Sequence, residues 1–413
     1  MNHTQILALI IFIITYIGII ADKLPLLRLN RKSIAFVGSI MMIVFGVISF
    51  EDAIKSIDFD TITLLLGMMI IISTLRLEGF FTFISHTTMT KAKTTNLLLF
   101  SIVFITGFAS AFLVNDVVVL LFTPIIIQFC RKAELNPLPF LLAEIFASNA
   151  GSLMSITGNP QNMIIGIASQ ISYGKFMLIM LPIAILSMLI IILVIKKSNA
   201  DIFRHNTLIT IPKDASTYDF KTMRNSLIIF CLVVVAFFLS KIINLSIPLI
   251  ALGGASLTLI FTKQDGKQIL AGVDWSLLLF FASLFIIVAA IRQSGVLDIV
   301  FEISLQENTL SILVIFLLSL ILSQLVSNVP YVVLVLPIFA LAKSDILWLS
   351  LAASSTLAGN LTIIGAMANL IVIEQAQKEN VRITPQKFYR SSILITALTY
   401  ILAIAFLSLL STL

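Results

Sequence analysis

Two short polar runs interrupt an otherwise apolar chain, and their residue types are those that bind ions and small polar solutes. The first holds Asn115-Asp116, Ser148-Asn149-Ala150-Gly151-Ser152 and Thr157-Gly158-Asn159-Pro160-Gln161-Asn162. The second holds Ser327, Asn328, Thr356, Asn360, Thr362 and Asn369, and it has no carboxylate. A carboxylate and bare amides at membrane depth are expensive and are usually kept for function. Asn115, Asp116, Ser148, Asn149 and Gly151 offer oxygen ligands suited to a hard cation such as sodium. Without a metal, Asp116 would itself carry the exchanging proton. Glu144, one turn before Ser148, is a further coupling candidate, weighed evenly against a local hydrogen-bonding role. The expected substrate contacts are Asn115, Asn149, Asn159, Asn162, Ser327, Asn328, Thr356, Asn360 and Asn369. Ser152, Ser155 and Thr362 read equally well as the small hydroxyl residues that pack membrane helices. Neither cluster contains Lys or Arg. An anion there would be held by hydroxyls, amides and the N-termini of half-helices.

Other chemistries lack their residues. The chain has no paired catalytic carboxylates, Ser/His/Asp set, metal-spaced histidines or phosphate-cradling glycine loop, so neither an enzyme nor a cofactor is expected. Without a Walker motif, direct coupling to ATP would need a partner. The two cysteines, Cys130 and Cys231, lie far apart beside apolar runs and suggest no disulfide framework.

The composition sets these clusters in a membrane. Of 413 residues, 59% are hydrophobic and 11% charged, and the mean hydropathy is +1.11. Soluble domains carry about 25% charged residues. The net charge of +6 sits in short loops between apolar runs, which argues against nucleic acid as a partner. The first run, Ile6 to Ile20, has no basic region before it and reads as a retained helix rather than a signal peptide.

Cations then orient the chain, because Lys and Arg collect on the cytoplasmic side. Helices are expected at about 5–21, 33–50 and 61–77, followed by a hairpin (94–131) and a broken helix (138–170). Helices follow at about 176–195, 226–243, 246–262 and 275–292, then a second hairpin (309–342), a broken helix (346–376) and a last helix. The return arm from Val117 to Cys130 reaches roughly 21 Å at ~1.5 Å per residue. A hydrocarbon core is about 30 Å thick, so this arm stops inside it. The second return arm, Tyr331 to Ala342, is shorter still. Residues 196–225 hold six basic residues and form a cytoplasmic linker between a first half (1–195) and a second (226–413). Both termini then fall outside.

The halves repeat. Asp58-Phe59, Arg76 and Gly79 match Asp274-Trp275, Arg292 and Gly295 at an offset of 216. Asn115 and Pro124 match Asn328 and Pro337 at 213, and Gly151 and Gly158 match Gly359 and Gly365 at 208 and 207. The charge rule orients the copies oppositely. The expected fold is therefore an all-α polytopic membrane protein of two inverted repeats, with about ten spanning helices, two of them broken, and two re-entrant hairpins. Matching broken helices in inverted repeats point to a secondary transporter with its site at the midplane.

The Asn115-Asp116-Val117 to Thr123-Pro124 run, the Ser148-to-Asn162 stretch and the weaker second copy resemble the ion-transporter superfamily. That group includes arsenite permeases, the melanosomal P protein, divalent-anion/sodium symporters and some sodium/proton antiporters. The likeness covers nearly the whole chain. The Asn-Asp tip is closer to the arsenite permease and P-protein branch than to the symporters, whose tips read Ser-Asn-Thr. The resemblance implies a homodimer in the plasma membrane, with a scaffold and an elevator-like transport domain.

The leading expectation is an ion-coupled secondary transporter of a small inorganic or organic anion, driven by sodium or protons. The runner-up is a sodium/proton antiporter using Asp116. A channel, the reading from another class, would want a continuous polar stripe, and the polar groups here are confined to two clusters.

Overall fold

The computed structural model describes residues 3–21, 23, 24, 29–89, 91–204, 208, 220–296, 306–340, 342 and 344–412. Helices dominate throughout. The first half runs through α1 (His3–Ala21), α2 (Arg31–Val44), α3 (Phe50–Lys55), α4 (Phe59–Leu77) and α5 (Phe80–Met89). It continues with α6 (Thr95–Leu113), α7 (Asn115–Lys132), α8 (Leu138–Ser152), α9 (Pro160–Ser169) and α10 (Tyr173–Ser198). After the short α11 (Ala200–Phe203), the second half begins with α12 (Phe220–Leu239), α13 (Ile247–Phe261), α14 (Gly266–Ala271) and α15 (Trp275–Gln293). It ends with α16 (Thr309–Val326), α17 (Asn328–Phe339), α18 (Asp345–Ala358), α19 (Met367–Lys378) and α20 (Pro385–Leu410).

Seven described helices are long and apolar enough to cross a membrane: α1, α4, α6, α10, α15, α16 and α20. The expected ten and these seven count different helices: α6 and α16 are the first arms of the hairpins, while α2, α12, α13 and the two broken crossings, α8 with α9 and α18 with α19, are not among the seven. The halves share one element order. The first residues of α3 and α14, and of α4 and α15, lie 216 positions apart, and those of α7 and α17 lie 213 apart. Packing partners are exchanged in the same way: α2 lies on α15 as α13 lies on α4, and α7 lies on α19 as α17 lies on α9. That reciprocity defines a pseudo-twofold relation between the halves.

Two expected loops are more ordered than the sequence suggested. Glu51 and Asp52 belong to α3, whose N-cap Ser49 accepts from Asp52 N at 3.0 Å and so satisfies one orphan donor. Strand pairing among the described residues is confined to Lys23–Leu24 with Leu29–Asn30 and a single bridge from Thr94 to Leu208. That bridge, and the bond from Asn96 Nδ2 to Phe203 O at 3.2 Å, set the linker against the open end of the first hairpin. Linker residues 205–207 and 209–219, Lys213, Asp214 and Asp219 among them, lie outside the described residues, as do Asp298, Glu302 and Lys343.

Each broken helix is held open by side chains. Pro160 starts α9 and Asn159 caps it, accepting from Asn162 N at 2.8 Å. At Gly158 an added Cβ would lie 2.0 Å from Ser152 O, so only glycine lets the chain double back this closely. Asn162 Nδ2 then bonds to the carbonyls of Ser152 (3.1 Å) and Ser155 (3.0 Å). In the second half Asn369 Nδ2 bonds to Gly359 O (2.7 Å) and Thr362 O (2.9 Å). All three positions are offset by 207. The same amide clamp closes both breaks, which backbone away from water requires.

Candidate functional site

Each hairpin turns on one residue. Val114 (φ 59°) and Ser327 (φ 70°), 213 positions apart, take up positive backbone angles so that a helix begins at the next residue. Asn115 and Asp116 were expected to form the bend itself. They are instead the first two residues of α7, as Asn328 and Val329 are of α17. Neither helix has a side-chain cap, so the first amide N–H groups stay available.

The two tips face one another across a cavity of about 60 Å³. Asn115, Asp116, Ser327 and Asn328 line it, together with Pro160 and Gln161 at the start of α9 and Ala366 and Met367 at the start of α19. Four helix N-termini therefore converge on one space. Each brings about half a positive charge and unpaired donors.

Arg31 and Lys32 of α2 also line the cavity. This corrects the expectation that no cation stands at the site. These residues were read only as loop charges, because nothing in their sequence neighbourhood shows that α2 begins beside the hairpin tips. Lys32 Nζ lies 2.8 Å from Asp274 Oδ2 and 2.8 Å from Ser276 Oγ. Burial opposes ionisation of Asp274, but the bonds from Lys32 and Ser276 outweigh it and hold the carboxyl below its usual range. Arg31 Nη2 lies 3.1 Å from Met367 Sδ. Tyr16 on α1 donates to the carbonyl of Pro330, at the second tip, at 3.4 Å.

Asp116 is half-buried and forms no hydrogen bond among the described residues. The charges acting on it are Arg31 and Lys32, favourably, and Asp274, unfavourably. Behind the tips the amides form a chain. Asn115 Nδ2 donates to Asn149 Oδ1 (3.2 Å), and Asn149 Nδ2 donates to Asn360 Oδ1 (2.9 Å) and Asn369 Oδ1 (3.1 Å). Thr356 Oγ1 accepts from Asn159 Nδ2 (3.3 Å) and Gln161 Nε2 (3.4 Å), and donates to Asn162 Oδ1 (3.4 Å). The predicted substrate residues are thus gathered in one region. Only Asn115, Ser327 and Asn328 of that set line the cavity, with Asp116 from the coupling set; the remaining amides and Thr356 brace them from behind.

Three coupling candidates lie elsewhere. Ser148 Oγ donates to Ile145 O within its own helix (2.9 Å). Gly151 packs on Gly107, whose Cα would be 2.2 Å from an added Cβ, so its role is close approach of α8 to α6. Glu144 faces Thr123 on α7, not the cavity. Two residues that sequence reading passed over stand beside the tips. Ser110 Oγ and Ser323 Oγ, one turn before the tips, are buried without a partner, and so are Asn115 Oδ1 and Asn328 Oδ1. Both pairs are 213 apart, the signal that would have found them. No group of three or more His, Cys, Asp or Glu residues is placed to hold a metal among the described residues.

Matched discontinuous helices, facing tips and a buried cavity between two related halves define a multi-pass membrane transporter. The chain belongs to the family described as "Citrate transporter", which it matches over residues 7–353. It is 30% identical to the "46 kDa membrane protein" of Mycobacterium leprae (strain TN), covering 97% of each chain. It is 27% identical to the "Silicon efflux transporter LSI3" of Oryza sativa subsp. japonica, covering 86% of this chain and 87% of that one. The fold is similar to that of the Alcanivorax borkumensis YdaH transporter, with a TM-score of 0.57 at 10% identity, over 99% of this chain and 98% of that one.

Proposed function

We propose that the protein moves a small oxyanion or oxyacid by alternating access, with the substrate bound between the hairpin tips and the movement coupled to sodium or protons. The observation that carries this reading is the convergence of four helix N-termini and of Arg31 and Lys32 on a single cavity. Donors and positive potential favour an oxygen-rich acid over a cation. In the measure used for the cavity, one water takes roughly 10–15 Å³. At about 60 Å³ the space suits an inorganic oxyanion better than a bulky tricarboxylate. The family description names citrate, itself an oxygen-rich acid, and the name of the Oryza relative gives silicon efflux.

The unpartnered oxygens of Ser110, Asn115, Ser323 and Asn328 fit a hard monovalent cation beside each tip. These are neutral ligands, so a cation there would add positive charge that an anion beside it could balance. Asp116, on the cavity wall, would exchange a proton or balance that cation. The family resemblance adds a homodimer. The deciding experiment is a proteoliposome screen of arsenite, silicic acid, phosphate, sulfate and citrate under imposed sodium and pH gradients. Gradient-driven uptake of one oxyanion or oxyacid supports the reading. Sodium/proton exchange with none of these moved would favour the antiporter instead.

A further inference from the structure

Glu144 is fully buried on α8, in the body of the protein behind the hairpin tips. Among the described residues its only side-chain partner is Thr123 of α7, whose Oγ1 lies 3.1 Å from both carboxyl oxygens and 2.7 Å from Val119 O. Thr123 has one hydroxyl proton for these three acceptors. An ionised Glu144 would therefore have at most one donor for about four lone-pair sites, with no cation beside it. The helices packed on α8 are α6, α7, α10, α18 and α19, and the ring contacts Phe140–Phe203 and Phe146–Phe388 add α11 and α20. Their ionisable groups are Asp116, Cys130, Arg131 and Lys132 on α7, Tyr173, Lys175, Lys196 and Lys197 on α10, Asp201 on α11, Asp345 on α18, Glu374 and Lys378 on α19, and Lys387, Tyr389, Arg390 and Tyr400 on α20. All lie in first or last turns except Glu374, Tyr389 and Arg390, which are exposed, and Tyr400, whose hydroxyl donates to Ser354 O; none bonds to Glu144 among the described residues. A carboxyl bearing a proton resolves the count, donating to Thr123 Oγ1 while Thr123 donates to Val119 O.

The repeat supplies an internal comparison. Thr123 corresponds to Leu336 at the offset of 213. Glu144 corresponds to Leu351 or Ala352 at 207 or 208. The fold thus builds the same helix pair from apolar residues in the second half, so the polar pair is not demanded by packing.

Leu336 also lines an open groove of about 970 Å³ with Val333, Pro337, Ala340, Lys55 and Arg292. The counterparts of the first four are Leu120, Thr123, Pro124 and Ile127. Thr123 and Ile127 are fully buried whereas their counterparts Leu336 and Ala340 are half-buried and exposed; Pro124 and Pro337 are alike, and Val333 is more buried than Leu120. At the Thr123 and Ile127 positions the first repeat is closed where the second is open. If inverted repeats exchange shapes during alternating access, the second access state opens a groove over Thr123 on the opposite face, the face that carries the linker.

From this we infer that Glu144 is a proton-binding site, loaded and sealed in the conformation seen here and open to the linker face in the other. Protonation would then favour the present conformation and make transport responsive to pH on that face, separately from Asp116. The inference rests on the alternating-access reading, but its first test needs no substrate.

Infrared difference spectra of the full-length protein in lipid compare Asp116→Asn with Asp116→Asn/Glu144→Gln at neutral pH. A protonated-carboxyl C=O band present in the first and lost in the second is expected; identical spectra would overturn the assignment. If the Gln variant does not fold, Glu144→Leu, which copies the second half, replaces it. The second test is phosphate or arsenite uptake while pH on the linker face is varied. The parent rate should change with pH and the Glu144→Gln rate should change less, the remainder belonging to Asp116. Equal dependence in both would sink the gating role. Liposomes that move neither ion count against the transport reading alone, and the infrared result still decides the proton site.

Discussion

Asn149 of α8 donates from Nδ2 to Asn369 Oδ1 of α19 at 3.1 Å, and the repeat makes the same link in reverse. Thr356, which is 207 positions after Asn149, donates to Asn162, which is 207 positions before Asn369. Each broken helix is thus tied to the break of the other. Asn162 and Asn369 also clamp the carbonyls of their own breaks, so one amide both holds a break open and joins it to its partner. The cavity walls are built on this tied unit, which would move as one body.

A double-mutant cycle on Asn149→Ala and Asn369→Ala should reveal that tie. Directly bonded groups show coupling of roughly 0.5–3 kcal/mol, whereas unlinked sites add within about 0.5 kcal/mol. Asn149→Ala with Asn328→Ala, an amide to which Asn149 makes no bond, is the control. Unfolding of the detergent-solubilised protein reads both cycles. Additivity in the first would mean that the amide chain does not join the halves.

Much of this was legible in the sequence. Polar residues, glycines and prolines recurring in order exposed the duplication, and the apolar runs placed the hairpins and broken helices. Asn115 and Asn328, which line the cavity, stood out because amides in lipid are conspicuous. What escaped reading depends on approach between distant segments. Arg31 and Lys32 reach the cavity only because α2 packs on α15 beside the tips. Ser110 and Ser323 were passed over because a lone serine in an apolar run carries no sign of whether its hydroxyl finds a partner. The close approach of Gly151 to Gly107 was not legible either, because packing of α8 on α6 leaves no mark in the sequence of α8 alone.

Asp116→Asn should abolish gradient-driven accumulation while leaving exchange of bound substrate and the melting temperature nearly unchanged. Its carboxylate is the only one at a hairpin tip, it has no hydrogen bond to lose, and the amide is the same size. Uptake against exchange in proteoliposomes separates the two. Retained gradient dependence would move the coupling role away from this residue.

Gly151→Ala should destabilise the protein by roughly 1–3 kcal/mol, the usual cost of overpacking. The added methyl would meet Gly107 backbone atoms at 2.2 Å, and backbone cannot swing aside as a flexible side chain can. Any sodium dependence should survive in the folded fraction. A variant of normal stability with altered sodium affinity would restore Gly151 as a ligand.

Glu78 should make the scaffold weaken as pH rises. Its Oε1 accepts from Ser226 Oγ and Thr262 Oγ1, each at 2.9 Å, while Oε2 is buried without a partner. Burial pushes its carboxyl above the usual range, against the lowering effect of those two bonds. The folded protein therefore binds this proton more tightly than the unfolded chain. The resulting stability is fully present below the unfolded carboxyl value and is lost as pH rises through the folded one. Melting temperatures across that window should fall for the parent and change less for Glu78→Gln. Parallel curves for the two proteins would show that Glu78 does not set the dependence.

Substrate affinity should depend on residues from three remote segments at once: Asn328 at the second tip, Arg31 on α2, and the uncapped start of α19 at Ala366. Asn328→Ala removes an amide that lines the cavity and whose Nδ2 is the group able to donate to an anion. A net hydrogen bond to a charged group is worth about 1.5–3 kcal/mol. Affinity for an anion should therefore fall by roughly 10- to 100-fold, since each 1.4 kcal/mol is about tenfold. Arg31→Gln should weaken a divalent anion more than a neutral oxyacid, because it removes charge while keeping polar reach. Lys32→Gln is less clean, since it also strips Asp274 of its partner and leaves another carboxylate near Asp116. Binding of arsenite and phosphate to the purified variants, measured calorimetrically at fixed sodium, reads each change. Equal losses for both substrates in Arg31→Gln would mean that this guanidinium shapes the cavity without selecting for charge. Unchanged affinity in both Arg31→Gln and Asn328→Ala would place the substrate somewhere other than between the tips.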